Sequence, residues 1–317
     1  MIDIKCRTGP CHRLAAFAAG VAIMASAIAG ARADESITFN HQGVERSAVL
    51  YQPAGAPRPA PLVIALQGNT QTIEDLRATL RLDTVAERAG FAVLYPDAIE
   101  HRWSYGRPIN SDSPMPTLGG EAVDDIGFVR RLIDDLVARG IADPARVYVT
   151  GMSRGGLMTF AVACVLSDKV AAAAALITGM TDLQREDCRP ARPVPMMALA
   201  GTNDGVQSYD GWLGSLGRLL SVPETMEFWR SLHGCTQQER DLLPHRDNRD
   251  RTRVLLVEWS NCKSGARLRL YRVNSGGHQI PSLTAIASPE SEQRWGWRSR
   301  DVETAEEVWA YVKGYVR

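Results

Sequence analysis

This 317-residue sequence has no excess charge of either sign: 36 lysines and arginines stand against 36 aspartates and glutamates. Such a balance lacks the basic footprint of a nucleic-acid binder and offers nothing to an anionic membrane surface, so neither partner is expected. No pair of cysteines has C-x-x-C spacing, which argues against a zinc site, and no metal or cofactor is expected. Internal repeats, low-complexity tracts and linker-like segments are absent. Beyond one stretch near the start, no run is apolar enough to span a bilayer. What remains is ordinary globular composition, 45% hydrophobic and 23% charged.

The exceptional stretch is "LAAFAAGVAIMASAIAG", residues 14–30. Lys5, Arg7 and Arg13 precede it, and Ala31 and Ala33 follow in small-x-small spacing. This is the three-part pattern of a secretory signal over residues 1–33, cleaved after Ala33. A membrane anchor is the competing reading, but the run is short for a spanning helix. No cysteine follows it to mark a lipoprotein. The expected mature protein, residues 34–317, is secreted, either periplasmic or extracellular, and leaves the membrane once cleaved. Cys6 and Cys11 depart with the signal. Cys164, Cys188, Cys235 and Cys262 remain, an even number in an oxidising compartment, with three pairings open.

Along the mature chain, strand-like and helix-like segments alternate. "SAVLYQP", "PLVIALQG", "FAVLYPD" and "ARVYVTG" are rich in Val, Ile and Leu and mostly end at Pro or Gly. "TIEDLRATLRLDTVAERAG" is helical and closes on glycine. "EAVDDIGFVRRLIDDLVARG" places Val123, Ile126, Val129, Ile133 and Val137 on one helical face. "AAAALITG" and "VPMMALAG" read as strands, "PETMEFWRSLHG" as a helix, "VLLVEW" and "LRLYRV" as strands, and "VETAEEVWAYVKGYV" as a last helix. The alternation predicts an α/β fold, one domain with a mostly parallel sheet flanked by helices.

Within it, "VYVTGMSRGGLMTF" sets Ser153 between Gly151 and Gly155, after a strand and before a helix. G-x-S-x-G in that context is a nucleophile elbow, where a sharp turn lifts the serine hydroxyl clear of the backbone. A serine needs a base. His278, in the glycine-flanked loop of "YRVNSGGHQIP" after the last strand, is the best placed histidine. The acid that orients it is Asp204, just past the strand in "MMALAGTNDGV", although Asn-Asp-Gly is also a plain turn signal. The order Ser153, Asp204, His278 suits acyl transfer on an α/β sheet. The oxyanion donors expected are the backbone N–H groups of Arg154 and Asn69. Three irregular stretches, 101–121, 205–222 and 279–300, hold Trp103, Trp212, Trp295 and Trp297, expected as apolar walls of a substrate cleft. The plainer reading is that these rings pack their loops down.

Eight stretches together resemble the secreted α/β-hydrolase esterases of the polyhydroxybutyrate depolymerase family, especially its branch of feruloyl and acetylxylan esterases. They are "PLVIALQGNTQT", "FAVLYPDAIEHRWSYGR", "VDDIGFVRRLIDDL", "DPARVYVTGMSRGGLMT", "RPVPMMALAGTND", "EFWRSLHGC", "GGHQIP" and "SRDVETAEEVW". The resemblance implies an α/β-hydrolase with Ser153 as nucleophile, Asp204 as acid and His278 as base. It also implies disulfides Cys164–Cys188 and Cys235–Cys262. This sequence departs from the family at Gln67, where relatives usually carry histidine, at Asn69, where cysteine is frequent, and at Ile280, where tryptophan is usual. Gln67 is accordingly a further cleft candidate.

The expected activity is hydrolysis of short-chain hydroxyalkanoate oligomers or related soluble esters. The sequence shows no added polymer-binding module, which favours soluble over solid substrate. A feruloyl or acetylxylan esterase is the alternative. A serine exopeptidase and a non-enzymatic binding protein are weaker rivals.

Overall fold

The computed structural model describes residues 34–107, 117–118, 121–263 and 265–317. The expected signal segment, residues 1–33, lies outside the described residues, as does much of the 101–121 stretch.

Ten strands form the main sheet: β1 (Glu35–His41), β2 (Val44–Tyr51), β3 (Ala60–Leu66), β4 (Ala92–Pro96), β5 (Ala142–Met152), β6 (Ala172–Leu176), β7 (Met196–Gly201), β8 (Gln237–Leu242), β9 (Arg253–Ser260) and β10 (Leu268–Asn274). Their order is β1-β2-β4-β3-β5-β6-β7-β10-β9-β8. The six strands from β4 to β10 run parallel, and the outer two on each side are antiparallel. Every residue of β3, β4, β6 and β7 is buried, because helices cover both faces there and alternation gives way to continuous apolar runs. Along β3, Leu62, Ile64 and Leu66 face one core and Val63 and Ala65 the other. Helices α3 (Asp125–Ala138), α4 (Arg154–Val165) and α6 (Val222–His233) fill the first core. Helices α1 (Ile73–Leu80), α2 (Leu82–Ala89) and α8 (Thr304–Val312) fill the second. Two short helices, α5 (Asp182–Asp187) and α7 (Pro289–Trp295), lie in loops.

Three elements of the sheet and the two cores differ from the sequence reading. The helix expected as one piece over 72–90 breaks at Arg81, which takes φ 58° and caps α1 through its N–H to the Arg77 carbonyl. The bend lets both Leu80 and Leu82 bury fully, which offsets the roughly 1–2 kcal/mol cost of a left-handed non-glycine residue. β1 and β8 are additional edge strands. β8 is wholly exposed and reads "QQERDL", so it carries no apolar period, and its charges blunt the open edge.

The cysteines pair Cys164–Cys188, joining α4 to the end of α5, and Cys235–Cys262, joining the chain after α6 to that after β9. They close separations of 24 and 27 residues. Replacing either pair with serines should cost about 3 kcal/mol in the chain-entropy view, read as a lower urea midpoint with an equal or steeper slope, since the unbridged unfolded chain is less compact. A midpoint that does not move would show that the bridges do not form.

Candidate active site

Strand β5 ends at Met152 and α4 begins at Arg154, so the whole reversal falls on Ser153, at φ 55° and ψ −119°. A non-glycine residue here is strained, and the strain is held by contacts on either side. The Ser153 N–H donates to the Leu176 carbonyl at 2.9 Å. A Cβ at Gly151 would lie 2.4 Å from the Gly155 carbonyl oxygen, and one at Gly155 would lie 2.2 Å from that of Leu66. The two glycines are therefore demanded by backbone packed on backbone beneath the serine.

Asp204 follows β7. Its Oδ1 accepts the N–H groups of Val206 and Gln207, each at 2.8 Å, which leaves Oδ2 directed at His278 Nδ1, 2.6 Å away. His278 follows β10 in a loop whose Gly277 has no room for a side chain, since a Cβ would sit 2.0 Å from the Trp295 carbonyl oxygen. The His278 N–H donates to that same carbonyl at 2.6 Å. The imidazole Nε2 then stands 3.0 Å from Ser153 Oγ. With Nδ1–H donated to the carboxylate, the Nε2 lone pair faces the serine hydroxyl, the tautomer that proton abstraction requires. The side chain of His278 is 9% exposed and that of Asp204 1%, so water competes little for the pair.

The loop after β3 is held turn by turn. The Gly68 N–H donates to Gln71 Oε1, that of Thr70 to the His101 carbonyl, and that of Gln71 to the Gly68 carbonyl. The Asn69 N–H has no partner among the described residues, and Asn69 lines the cleft beside Ser153. The Arg154 N–H belongs to the first turn of α4, where helical N–H groups lack an intrahelical acceptor.

Behind this loop lies a buried network. Trp103 Nε1 donates to the Gln67 carbonyl at 3.0 Å, and Arg154 Nε donates to the Trp103 carbonyl at 3.0 Å. Burial draws the Arg154 guanidinium below its ordinary value, against the pull of Tyr105. Asp125 Oδ2 accepts the Ser104 N–H at 2.7 Å, while Oδ1 pairs with Arg46 at 2.6 Å. Burial pushes the Asp125 carboxyl up, and Arg46 opposes it. Asp125→Ala would leave Arg46 buried without its counter-charge. It should cost about 3–5 kcal/mol in chemical denaturation. A loss under about 1 kcal/mol would show that water relieves the site.

A cleft of about 420 Å³ opens over Ser153 and His278. Of the four tryptophans expected in its wall, only Trp295 is there, with its ring centre 6.1 Å from that of His278. Trp103 is fully buried in the first core, behind the Gln67 loop. Trp212 packs on that same core. Trp297 lines a separate cavity with Ile286 and lies under the Arg251 guanidinium. Gln67 is also not in the cleft. It is fully buried, and its Nε2 donates to Asp97 Oδ1 at 3.1 Å. An aromatic or amide in an irregular loop carries no mark of which way it faces, and these four face inward or elsewhere.

Sequence reasoning missed α7, which delivers Ser291, Arg294 and Trp295 to the cleft. Its signal was present in "SPESEQRW": Ser288 caps by accepting the Ser291 N–H, and Pro289 opens the helix. Arg298 and Ile280 complete that side.

Residues 46–192 match the family described as "Esterase PHB depolymerase". This part of the chain resembles that family. The matched span carries Gln67 to Gln71 and the Ser153 elbow, while Asp204 and His278 lie beyond it. Among curated proteins it is similar to Feruloyl esterase B of Piromyces equi, 29% identical over 184 residues, 55% of this chain and 30% of that protein. It is also similar to a bifunctional acetylxylan esterase/xylanase of Neocallimastix patriciarum, 25% identical over 245 residues, 76% of this chain and 32% of that one. The chain thus spans less than a third of the length of either relative. Among solved structures, the acetyl xylan esterase from Aspergillus awamori superposes with a TM-score of 0.56 at 15% identity, covering 83% of this chain and 98% of that one. That likeness establishes the fold, a single α/β-hydrolase-like domain with a mostly parallel ten-stranded sheet.

Proposed function

We propose that this protein, part of which resembles the PHB depolymerase esterase family, hydrolyses carboxylic esters through a serine nucleophile. The observation that carries the reading is the continuous hydrogen-bonded line Ser153 Oγ, His278 imidazole, Asp204 carboxylate, at 3.0 and 2.6 Å. Ser153 attacks the ester carbonyl carbon while His278 Nε2 takes the hydroxyl proton. The Asp204 carboxylate stabilises the imidazolium that results. The N–H groups of Asn69 and Arg154 receive the negative oxygen of the tetrahedral intermediate. His278 returns its proton to the departing alcohol, leaving an acyl-enzyme on Ser153. Water, deprotonated by His278, attacks the acyl carbon and releases the acid.

For substrate, the names of the relatives favour a feruloyl- or acetyl-carbohydrate ester over a hydroxyalkanoate oligomer. The cleft volume suits a small acyl group, and Trp295 gives a flat apolar face for a planar acyl group or a sugar ring. Export of the protein is supported by its two disulfides and by the signal-like residues 1–33. The test is initial rates on short-chain nitrophenyl esters, methyl ferulate, acetylated xylan, hydroxybutyrate oligomers and aminoacyl anilides. Turnover of the ester substrates with methyl ferulate or acetylated xylan ahead of the oligomers is expected. Cleavage of anilides without cleavage of esters would overturn the reading.

A further inference from the structure

The wall of the cleft opposite the Gly68–Gln71 loop is cationic. Among the described residues Arg294 and Arg298 both line it and no aspartate or glutamate does, while Arg298 also borders the separate cavity lined by Glu292 and Trp297. Neither guanidinium donates a hydrogen bond or makes an ion pair to any described residue. The Arg298 Nε atom is shut off from solvent and has no partner. That is a costly state for a charged donor, about 1–3 kcal/mol or more. Burial holds the Arg298 guanidinium below its ordinary value. Glu303 and Glu292 pull it back up without reaching ion-pair distance. Glu303 is itself engaged, accepting from Ser282 and the Leu283 N–H. Arg294 lies over the Trp295 ring, 4.5 Å from its centre, and that ring is the one beside His278. The two charges therefore flank the reacting centre on the side supplied by α7 and the chain just after it.

We propose that Arg294 and Arg298 form an anion subsite, and that the ester this enzyme is built for bears a free carboxylate, on its acyl or its alcohol side. The proposal rests on the ester-hydrolase reading. A guanidinium fork suits a carboxylate, and a planar aromatic beside it holds the intervening carbon frame. The carboxylate pairs with the guanidinium groups that line the cleft and have no acidic partner among the described residues.

The test compares matched esters that differ only in one charge. On the acyl side these are 4-nitrophenyl hydrogen adipate and 4-nitrophenyl hexanoate. On the alcohol side they are 4-acetoxyphenylacetate and its methyl ester. The wild type should favour the anionic member of at least one pair by roughly tenfold or more in kcat/KM, mainly through KM, as a charge-assisted hydrogen bond predicts. The arm that shows the preference identifies the side that carries the carboxylate. In the Arg294→Gln/Arg298→Gln double variant the ratio should fall to about one, and Arg298→Lys should keep part of it. A ratio that is equal in wild type and double variant on both arms overturns the subsite and leaves ester hydrolysis standing. Absence of hydrolysis on every ester overturns the ester-hydrolase reading instead. The subsite is then judged by calorimetric binding of monomethyl adipate to Ser153→Ala protein. A roughly tenfold weakening on adding the two glutamine substitutions supports it, and unchanged binding overturns it.

Discussion

Ser153→Ala should fold as the wild type does and lose at least about a thousandfold in kcat on any ester the wild type turns over. The residual rate comes from the oxyanion donors and substrate binding, which survive the change. The loss should not deepen much when His278→Ala is added, because serine and imidazole act as one unit. Structure gives the reason for intact folding. The strain at Ser153 is imposed by the Ser153 N–H bond to Leu176 and by glycine contacts below, none of which involves the hydroxyl. The melting temperature of the variant should stay within a few degrees of wild type. Activity above about a tenth of wild type would require another nucleophile.

Gly155→Ala should be among the most disruptive single methyls in the site. The added carbon would fall 2.2 Å from the Leu66 carbonyl oxygen and 2.5 Å from that of Gln67, both main-chain atoms that no rotamer change can move. Relief requires α4 to separate from the end of β3, which displaces Ser153 and the Asn69 loop together. Overpacking of this kind costs about 1–3 kcal/mol, and an ångström of misplacement at the nucleophile costs on the order of a hundredfold in rate. Gly55→Ala is the control, since a Cβ there meets nothing within 4 Å. Thermal melts and kcat on a nitrophenyl ester for both variants decide the matter. If Gly155→Ala matches Gly55→Ala in both, the elbow tolerates spreading and the packing argument fails.

Much of this site was legible because the same contacts that build it constrain the sequence locally. The glycines around Ser153 record main chain packed on main chain, so their spacing survives in any reading of the residues. Asp204 follows the fully buried β7 and His278 the partly buried β10, and the apolar residues of both make those strand ends easy to find. What escaped depends on contacts between residues far apart in the chain. Nothing near Trp103 says that its indole will support the Gln67 carbonyl 36 residues earlier, or that Arg46 will meet Asp125 across 79. Of the four loop tryptophans expected as cleft walls, Trp103 and Trp212 are packing, Trp297 lines another cavity and Trp295 alone lines the cleft. Arg81 leaves no mark because its left-handed turn lets Leu80 and Leu82, two residues apart, both bury in the second core.

The central claim is that Ser153 becomes covalently acylated. The most direct measurement is intact-mass and peptide analysis after exposure to an alkyl fluorophosphonate. A single adduct on the peptide that contains Ser153 is expected, with fluoride released, no adduct in Ser153→Ala, and much slower labelling in His278→Ala. An adduct on another residue, or full ester turnover by protein that the reagent leaves unlabelled, would contradict it.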